Sequence, residues 1–373
     1  MLAIIFISAR LCKKVSMRKT NFLITIVLVS SHLFAQTDTV KLAQTDTVRL
    51  VIEPSQEAEK SYNNGINLLQ SKTYDDAIAA FTKAISIKPE MEKAYYNRGL
   101  AFSELNKTNE AIADLSKSIE LNAQADYSYA LRAQVYISSN ENDKALTDLT
   151  KTIELNPKNA EACYSKGVIE LQNKDYKTAI DDYTKAIDVK PDYAYALNDR
   201  GSAKLENADT AGAIEDYEKA LAADKSLAFT YNNLGSAYRK KKDYKKAVSY
   251  YDQAIALKAD YYIAYNNRGT SKLDDQDLEG AMADFNKAIA LKKDYAFAYN
   301  NRSSVYYKKK DYQSCLNDCN TAIGLNPDYA EAYLNRGIVK EVMKDFKGAC
   351  EDFTKAASLG IVAAKQYKAV ICE

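Results

Sequence analysis

Residues 228–261 read AFTYNNLGSAYRKKKDYKKAVSYYDQAIALKADY, residues 262–295 read YIAYNNRGTSKLDDQDLEGAMADFNKAIALKKDY, and residues 296–329 read AFAYNNRSSVYYKKKDYQSCLNDCNTAIGLNPDY. Laid one beneath another without a gap, the three lines carry the same residue types in the same places. One slot holds Gly235, Gly269 and Ser303; another holds Ala247, Ala281 and Cys315; a third holds Tyr251, Phe285 and Cys319. Working outward, the 34-residue period holds without an insertion from Ala58 to Ala363, giving nine copies.

Small residues recurring opposite one large ring describe two helices that approach closely, with the ring filling the gap between them. Asp175, Asp209, Asp243, Asp277, Asp311 and Asp345 stand just before the second helix of their copies, where an N-cap is needed. Pro89, Pro157, Pro191 and Pro327 mark the turn into the next copy, where a missing N–H does no harm. One helix pair cannot bury its own apolar face, so the copies must stack and share a continuous core.

Over residues 58–363 the chain resembles the tetratricopeptide repeat family. The first signature slot of that family, often tryptophan, is here mostly tyrosine: Tyr95, Tyr129, Tyr231, Tyr265, Tyr299 and Tyr333. The resemblance implies an all-α fold, a right-handed superhelix (α-solenoid) of antiparallel helix pairs whose first helices line a concave groove. Residues 364–373 are expected to form a capping helix with Ala363, Tyr367, Val370 and Ile371 on its apolar face.

The copies also serve as an internal alignment, and two slots vary together. Arg98 goes with Asp114, Arg132 with Asp148, Lys166 with Asp182, Arg200 with Asp216, Arg268 with Asp284, Arg302 with Asp318 and Arg336 with Asp352. Where the base is absent the acid is absent too: Asn64 with Ala80, and Leu234 with Tyr250. In an antiparallel hairpin the two slots face each other, so these are structural ion pairs between first and second helix. Each is worth about 0.5 kcal/mol if it lies at the surface.

Function is expected in the groove. Its slots carry Asn97, Asn198, Asn232, Asn233, Asn266, Asn267, Asn300, Asn301 and Asn335, flanked by Tyr127, Tyr195, Phe229, Ile263 and Phe297. An asparagine side chain both donates and accepts, so a ladder of them suits a peptide backbone whatever its side chains. A similar ladder occurs in the repeat superhelix of O-linked N-acetylglucosamine transferases, which implies binding of extended polypeptide; the resemblance is limited to the ladder, and no catalytic domain is expected after it. The plainer reading is that these asparagines cap or bond a neighbouring helix and bind nothing. Gripping the C-terminal carboxylate of a chaperone, another use in the family, needs a lysine where this chain has Tyr62, Tyr96 and Ala130, so that role is rejected.

Composition closes other routes. The chain has no tryptophan, and its one histidine, His32, lies in a segment expected to be removed. Without histidine there is no Ser-His or Cys-His nucleophile, and no catalytic residue, metal or cofactor is expected. With 51 basic and 50 acidic residues, no charge imbalance points to nucleic acid, and no small-molecule substrate is evident. Cysteines 163, 315, 319 and 350 take core slots, and Cys315 and Cys319 lack a third ligand for a metal. Whether Cys350 pairs with Cys372 to tie down the cap is left open by spacing alone.

The N-terminus reads as an address. From Met17, the expected start, Arg18 and Lys19 precede an apolar run from Phe22 to Val29 and a small residue, Ala35, at the cleavage position. Residues 36–57, with QTDTVKL and QTDTVRL in tandem, are expected to be an extended linker. The expectation is an exported protein of a bacterial periplasm or cell envelope, with a retained N-terminal membrane anchor as the rival. It would be a non-catalytic module binding extended polypeptide in its groove. The alternative is a structural scaffold subunit using its convex face, edges or tether, with self-association open to it.

Overall fold

The structure, a computed structural model, describes residues 54–372. The expected signal segment, the Ala35 cleavage site and most of the linker lie outside the described residues. Among those residues there are nineteen helices and no strand. None of the helices is long and apolar enough to cross a membrane.

Two compact units divide at Ala145/Leu146. Unit 1 contains α1 (Pro54–Gln70), α2 (Tyr74–Ile87), α3 (Glu92–Glu104), α4 (Thr108–Leu121) and α5 (Asp126–Ser138). The division falls within α6 (Asn142–Leu155). Unit 2 continues with α7 (Ala160–Gln172), α8 (Tyr176–Val189), α9 (Ala194–Glu206), α10 (Thr210–Ala223), α11 (Ala228–Lys240), α12 (Tyr244–Leu257) and α13 (Tyr262–Asp274). It ends with α14 (Leu278–Leu291), α15 (Ala296–Lys308), α16 (Tyr312–Leu325), α17 (Ala330–Val342), α18 (Phe346–Ser358) and α19 (Val362–Ile371).

The linker ends earlier than expected. Pro54 opens α1, so residues 54–57 are its first turn; proline's missing N–H and fixed φ suit that position, and Glu57 complements the positive end of the helix. The hairpins close the same way throughout. Residues 72, 106, 140, 174, 208, 242, 276, 310 and 344, one per copy, all have φ between 57° and 68°. In the last turn of α15, for example, Lys310 N donates to Tyr307 O and Asp311 N to Tyr306 O, both at 3.0 Å. That is a Schellman turn, which satisfies carbonyls the helix end would leave bare. The aspartate that follows caps the second helix, as Asp175 does by accepting from Thr178 N at 3.1 Å. The equivalent aspartates at 209, 243, 277, 311 and 345 do the same.

Inside each hairpin the ring and the small slot are matched. A Cβ added at Gly269 would lie 2.8 Å from Phe285, and at Gly235 2.8 Å from Tyr251. Where the ring shrinks to Cys319, the glycine is replaced by Ser303, and both are buried. Tyr217 and Tyr251 bond Ser202 and Ser236 at 3.1 and 3.0 Å. Tyr183 faces Val168 instead, and its hydroxyl is buried without a partner.

The cap packs on a different face from the one expected. Ala364 is buried and Tyr367 stacks on Phe353 at 4.9 Å, with Ile371 beside them. Ala363 is exposed and Val370 is 77% exposed. Residues 364, 367 and 371 fit one helical stripe as well as the expected set does, and the ring of Phe353 selects them. Cys350 is not a core thiol: it forms a disulfide with Cys372, Cα–Cα 5.2 Å, while Cys163, Cys315 and Cys319 are buried and free.

Candidate functional site

In each unit, successive first helices touch one another: α1 with α3 and α3 with α5, then α7 with α9 and onward to α17. Second helices make no comparable contact among the described residues. The first helices therefore form the inner, more tightly drawn face of each stack, which is where the asparagines and rings were expected.

The asparagines are there, but they bond one another. Asn233 Nδ2 donates to Asn198 Oδ1 at 3.2 Å, Asn267 to Asn232 at 3.0 Å, Asn301 to Asn266 at 2.9 Å and Asn335 to Asn300 at 2.9 Å. Within a helix, Asn232 donates to Asn233 at 3.4 Å and Asn266 to Asn267 at 3.5 Å. Asn300 donates elsewhere, to the Tyr329 hydroxyl at 3.2 Å, which leaves Asn301 Oδ1 buried without a donor. Asn198, Asn232, Asn266, Asn300, Asn301 and Asn335 are buried; Asn233 and Asn267 are partly exposed. In unit 1, Asn97 is buried and donates to the Tyr62 hydroxyl at 3.0 Å. The amides thus join α1 to α3 in unit 1 and each first helix from α9 to α17 to the next in unit 2, and most of them are buried in doing so.

At its N-terminal end the unit 2 ladder stops at a charge. Asn198 Nδ2 donates to Asp199 Oδ1 at 2.9 Å, and the Tyr164 hydroxyl donates to Asp199 Oδ2 at 2.8 Å. An ionised carboxylate accepts only, so it sets the direction of the amides from Asn198 to Asn267 and of Asn301, each of which donates back along the chain toward Asp199; Asn300, which donates to Tyr329, ends that order. Burial raises the carboxyl pKa of Asp199 above the usual carboxylate range, against the two hydrogen bonds that lower it. Burial, with the Asp199 charge beside it, likewise raises the phenol of Tyr164.

The expected rings lie above the amides. Tyr195 is 41% exposed and its ring is 5.8 Å from Phe229; Ile263 and Phe297 are half-buried. Phe297 packs between Tyr295 and Tyr329. Tyr127, in unit 1, donates its hydroxyl to Glu92 at 2.9 Å and meets Tyr96 edge-on. Sequence reasoning missed one ion pair on this face, Arg239 with Asp274 at 3.1 Å.

The basic and acidic slots pair as expected, but not at the surface. In unit 1 Arg98 grips Asp114 with two bonds, at 2.7 and 2.8 Å. In unit 2 Arg200 grips Asp216, Arg268 Asp284, Arg302 Asp318 and Arg336 Asp352 in the same bidentate way, and Lys166 bonds Asp182 at 2.5 Å. These aspartate side chains are at most 9% exposed. A second cation, Lys204, Lys272 or Lys340, reaches Asp216, Asp284 or Asp352 at 2.8 Å. The remaining guanidinium nitrogen reaches back to the preceding second helix: Arg98 to Thr82, Arg200 to Thr184, Arg268 to Asp252, Arg302 to Asn286 and Arg336 to Asn320. Each arginine therefore holds two copies together as well as one hairpin. The Asp318 bonds raise the Arg302 pKa above its ordinary value, against the effect of burial.

This geometry can be set beside known proteins. The tetratricopeptide repeat matches residues 92–124, 160–193 and 228–261, and again 127–159, 262–295 and 298–329; a further TPR repeat matches 65–106. The chain belongs to the tetratricopeptide repeat family. Among solved structures, a tetratricopeptide repeat protein from Parabacteroides merdae is 18% identical, covering 67% of this chain and 100% of its own, with a TM-score of 0.59. The APC/C hetero-tetramer Cut9–Hcn1 is 15% identical over 85% of this chain and 76% of its own, TM-score 0.57. The C-terminal part of a TPR repeat-containing protein from Cytophaga hutchinsonii is 17% identical over 64% and 98%, TM-score 0.54. At these identities the likeness shows the fold alone. No curated protein matches the chain. Tetratricopeptide repeats are protein–protein interaction and scaffold modules, and the fold is typically non-catalytic.

Proposed function

We propose that unit 2 binds extended segments of partner proteins across its inner face, and that its rings rather than its amides carry the affinity. The observation behind this is the strip Tyr195, Phe229, Ile263 and Phe297, one residue per copy, left exposed or half-buried above a ladder whose amides are already paired. Large rings that lose little freedom on binding are what a protein interface uses as anchors. The amides keep those anchors evenly spaced. The module is read as non-catalytic, since residues 33–373 contain no histidine to serve as base near neutral pH.

The test is selection of peptides from a random display library on the intact chain, beside a variant with Tyr195→Ser, Phe229→Ser and Phe297→Ser. The wild type is expected to enrich peptides and the variant, with unchanged helicity, to lose them. Retention of the same peptides by the variant would place the interface elsewhere. A second reading, a scaffold that contacts partners by an edge, draws support from Val342, Met343 and Phe346, which are 42%, 42% and 54% exposed around the turn between α17 and α18.

Export to the periplasm or cell envelope remains the proposed location. It is supported by the charge, apolar run and small residue at positions 18–35. The Cys350–Cys372 disulfide is compatible with an oxidising compartment. Protease accessibility in intact cells with a permeabilised outer membrane tests it; protection until the inner membrane is lysed would exclude it.

A further inference from the structure

Asp199 places an acid where the fold does not need one. Tyr164 stands to Asp199 as Tyr62 stands to Asn97, one copy back and bonded through the hydroxyl. An asparagine at 199 would donate to Tyr164 as Asn97 donates to Tyr62, and would accept from Asn198 as Asn233 accepts from Asn232. The later copies make that choice, with Asn233, Asn267, Asn301 and Asn335 at the same step. Asp199 instead holds a carboxylate in a setting of tyrosines, and no lysine or arginine among the described residues forms an ion pair with it. Asp274, on the same face, is neutralised by Arg239. A buried acid without a cation beside it is costly to ionise, and a cation from outside is its natural complement.

The surroundings fit such a cation. Tyr195 lies one turn before Asp199 on the same face of α9, and its exposed ring stands beside Phe229 of α11. Glu161, exposed at the equivalent step of α7, adds a second negative charge.

We propose that Asp199, Tyr195 and Phe229 form a subsite for a lysine or arginine side chain of the guest segment, a reading that rests on the inner-face binding proposed above. The aliphatic stem of the guest lies along the rings, and its charged head meets the carboxylate at the end of the amide ladder. The site sets both preference and register, because only the guest position opposite α9 is read for charge.

Displayed random peptides are selected on the full chain, and one enriched peptide is synthesised with its basic residue as lysine and as Nε-acetyl-lysine. Wild type is expected to enrich lysine and arginine and to lose about ten-fold or more in affinity on acetylation, the range of a charge-assisted hydrogen bond. Asp199→Asn is expected to bind both forms equally and to melt no lower than wild type at neutral pH. Tyr195→Leu, which keeps the charge and removes the ring, should reduce the preference independently. Enrichment without basic residues, or a lysine preference that survives in Asp199→Asn, overturns the subsite and leaves the inner-face reading standing. If neither chain enriches any peptide, the inner-face reading falls and the subsite with it.

Discussion

Asp284→Ala separates a buried clamp from a surface ion pair. Asp284 is buried at 3% exposure. It accepts from Arg268 at 2.9 and 2.5 Å and from Lys272 at 2.8 Å. Removing it strands two cations whose side chains are only 17% and 22% exposed. Breaking a buried pair from one side costs about 3–5 kcal/mol, whereas an exposed pair is worth about 1 kcal/mol or less. Arg268 keeps a second acid, Asp252, at 2.5 Å, and Lys272 can turn toward water, so the low end applies, about 3 kcal/mol. A long repeat array need not unfold in one step, so a single midpoint would blur the effect. Hydrogen exchange resolved by helix is the suitable assay, with the loss expected in α13 and α14 and, through the Arg268–Asp252 contact, in α12. A loss under about 1 kcal/mol with unchanged exchange in all three helices would refute the buried-clamp argument.

Three further outcomes are expected. Gly269→Ala places a Cβ 2.8 Å from Phe285 and should cost about 1–3 kcal/mol; adding Phe285→Leu should restore part of it, as the Gly99/Leu115 pair, with its looser 3.0 Å approach, suggests. A double-mutant cycle by thermal melting checks this, and strict additivity would contradict the ring-and-slot account. Tyr183→Phe removes a buried hydroxyl that has no partner, while Tyr217→Phe removes one bonded to Ser202. The first should raise the melting temperature and the second lower it, each by about 1 kcal/mol equivalent. Asp175 has its pKa lowered by the Thr178 backbone bond and then by the Thr178 hydroxyl. Its cap is therefore fully effective above the unfolded value, about 3.9, and is lost as pH falls through the lower folded value. Asp175→Asn should lack that part of the acid dependence; melting curves that decline in parallel for both chains would show that the carboxylate is not responsible.

The reach of the sequence follows from what periodicity can express. Arg268 and Asp284 were legible because the slots lose base and acid together, as at Leu234 and Tyr250. The third bond of each arginine was not, since Thr82, Asp252 and Asn286 differ in type and share only an acceptor oxygen. The asparagines were visible as a row, but which bonds which depends on successive first helices being offset by one residue, so that 198 meets 233 and 232 meets 267. No repeat period reports that offset. The cap face was ambiguous for a related reason: α19 has no partner copy beyond it, and residues 363 or 364 begin equally good stripes until Phe353 chooses between them. The disulfide needed coordinates outright, because nothing in the spacing of Cys350 and Cys372 places their Cα atoms 5.2 Å apart.

Several junctions between copies are closed from both sides by polar residues, as where α15 meets α13 and α14. On the inner face the amides tie first helix to first helix, while deeper in the stack each guanidinium ties a first helix to the second helices on either side of it. Between these lies a core of alanines and single rings, each ring fitted to a small slot. The polar pairs add to that register, since their bonds are made in one alignment. This has a consequence for how the inner face is probed. Asn233→Ala would orphan an acceptor on Asn198 and a donor on Asn232, loosen the junction of α9 with α11, and shift Tyr195 against Phe229. Peptide binding would then fall although no amide had ever touched a guest. Removing the rings leaves the ladder whole, so it is the ring variants that identify the surface partners meet, whereas a loss in the amide variants does not distinguish contact from a loosened junction.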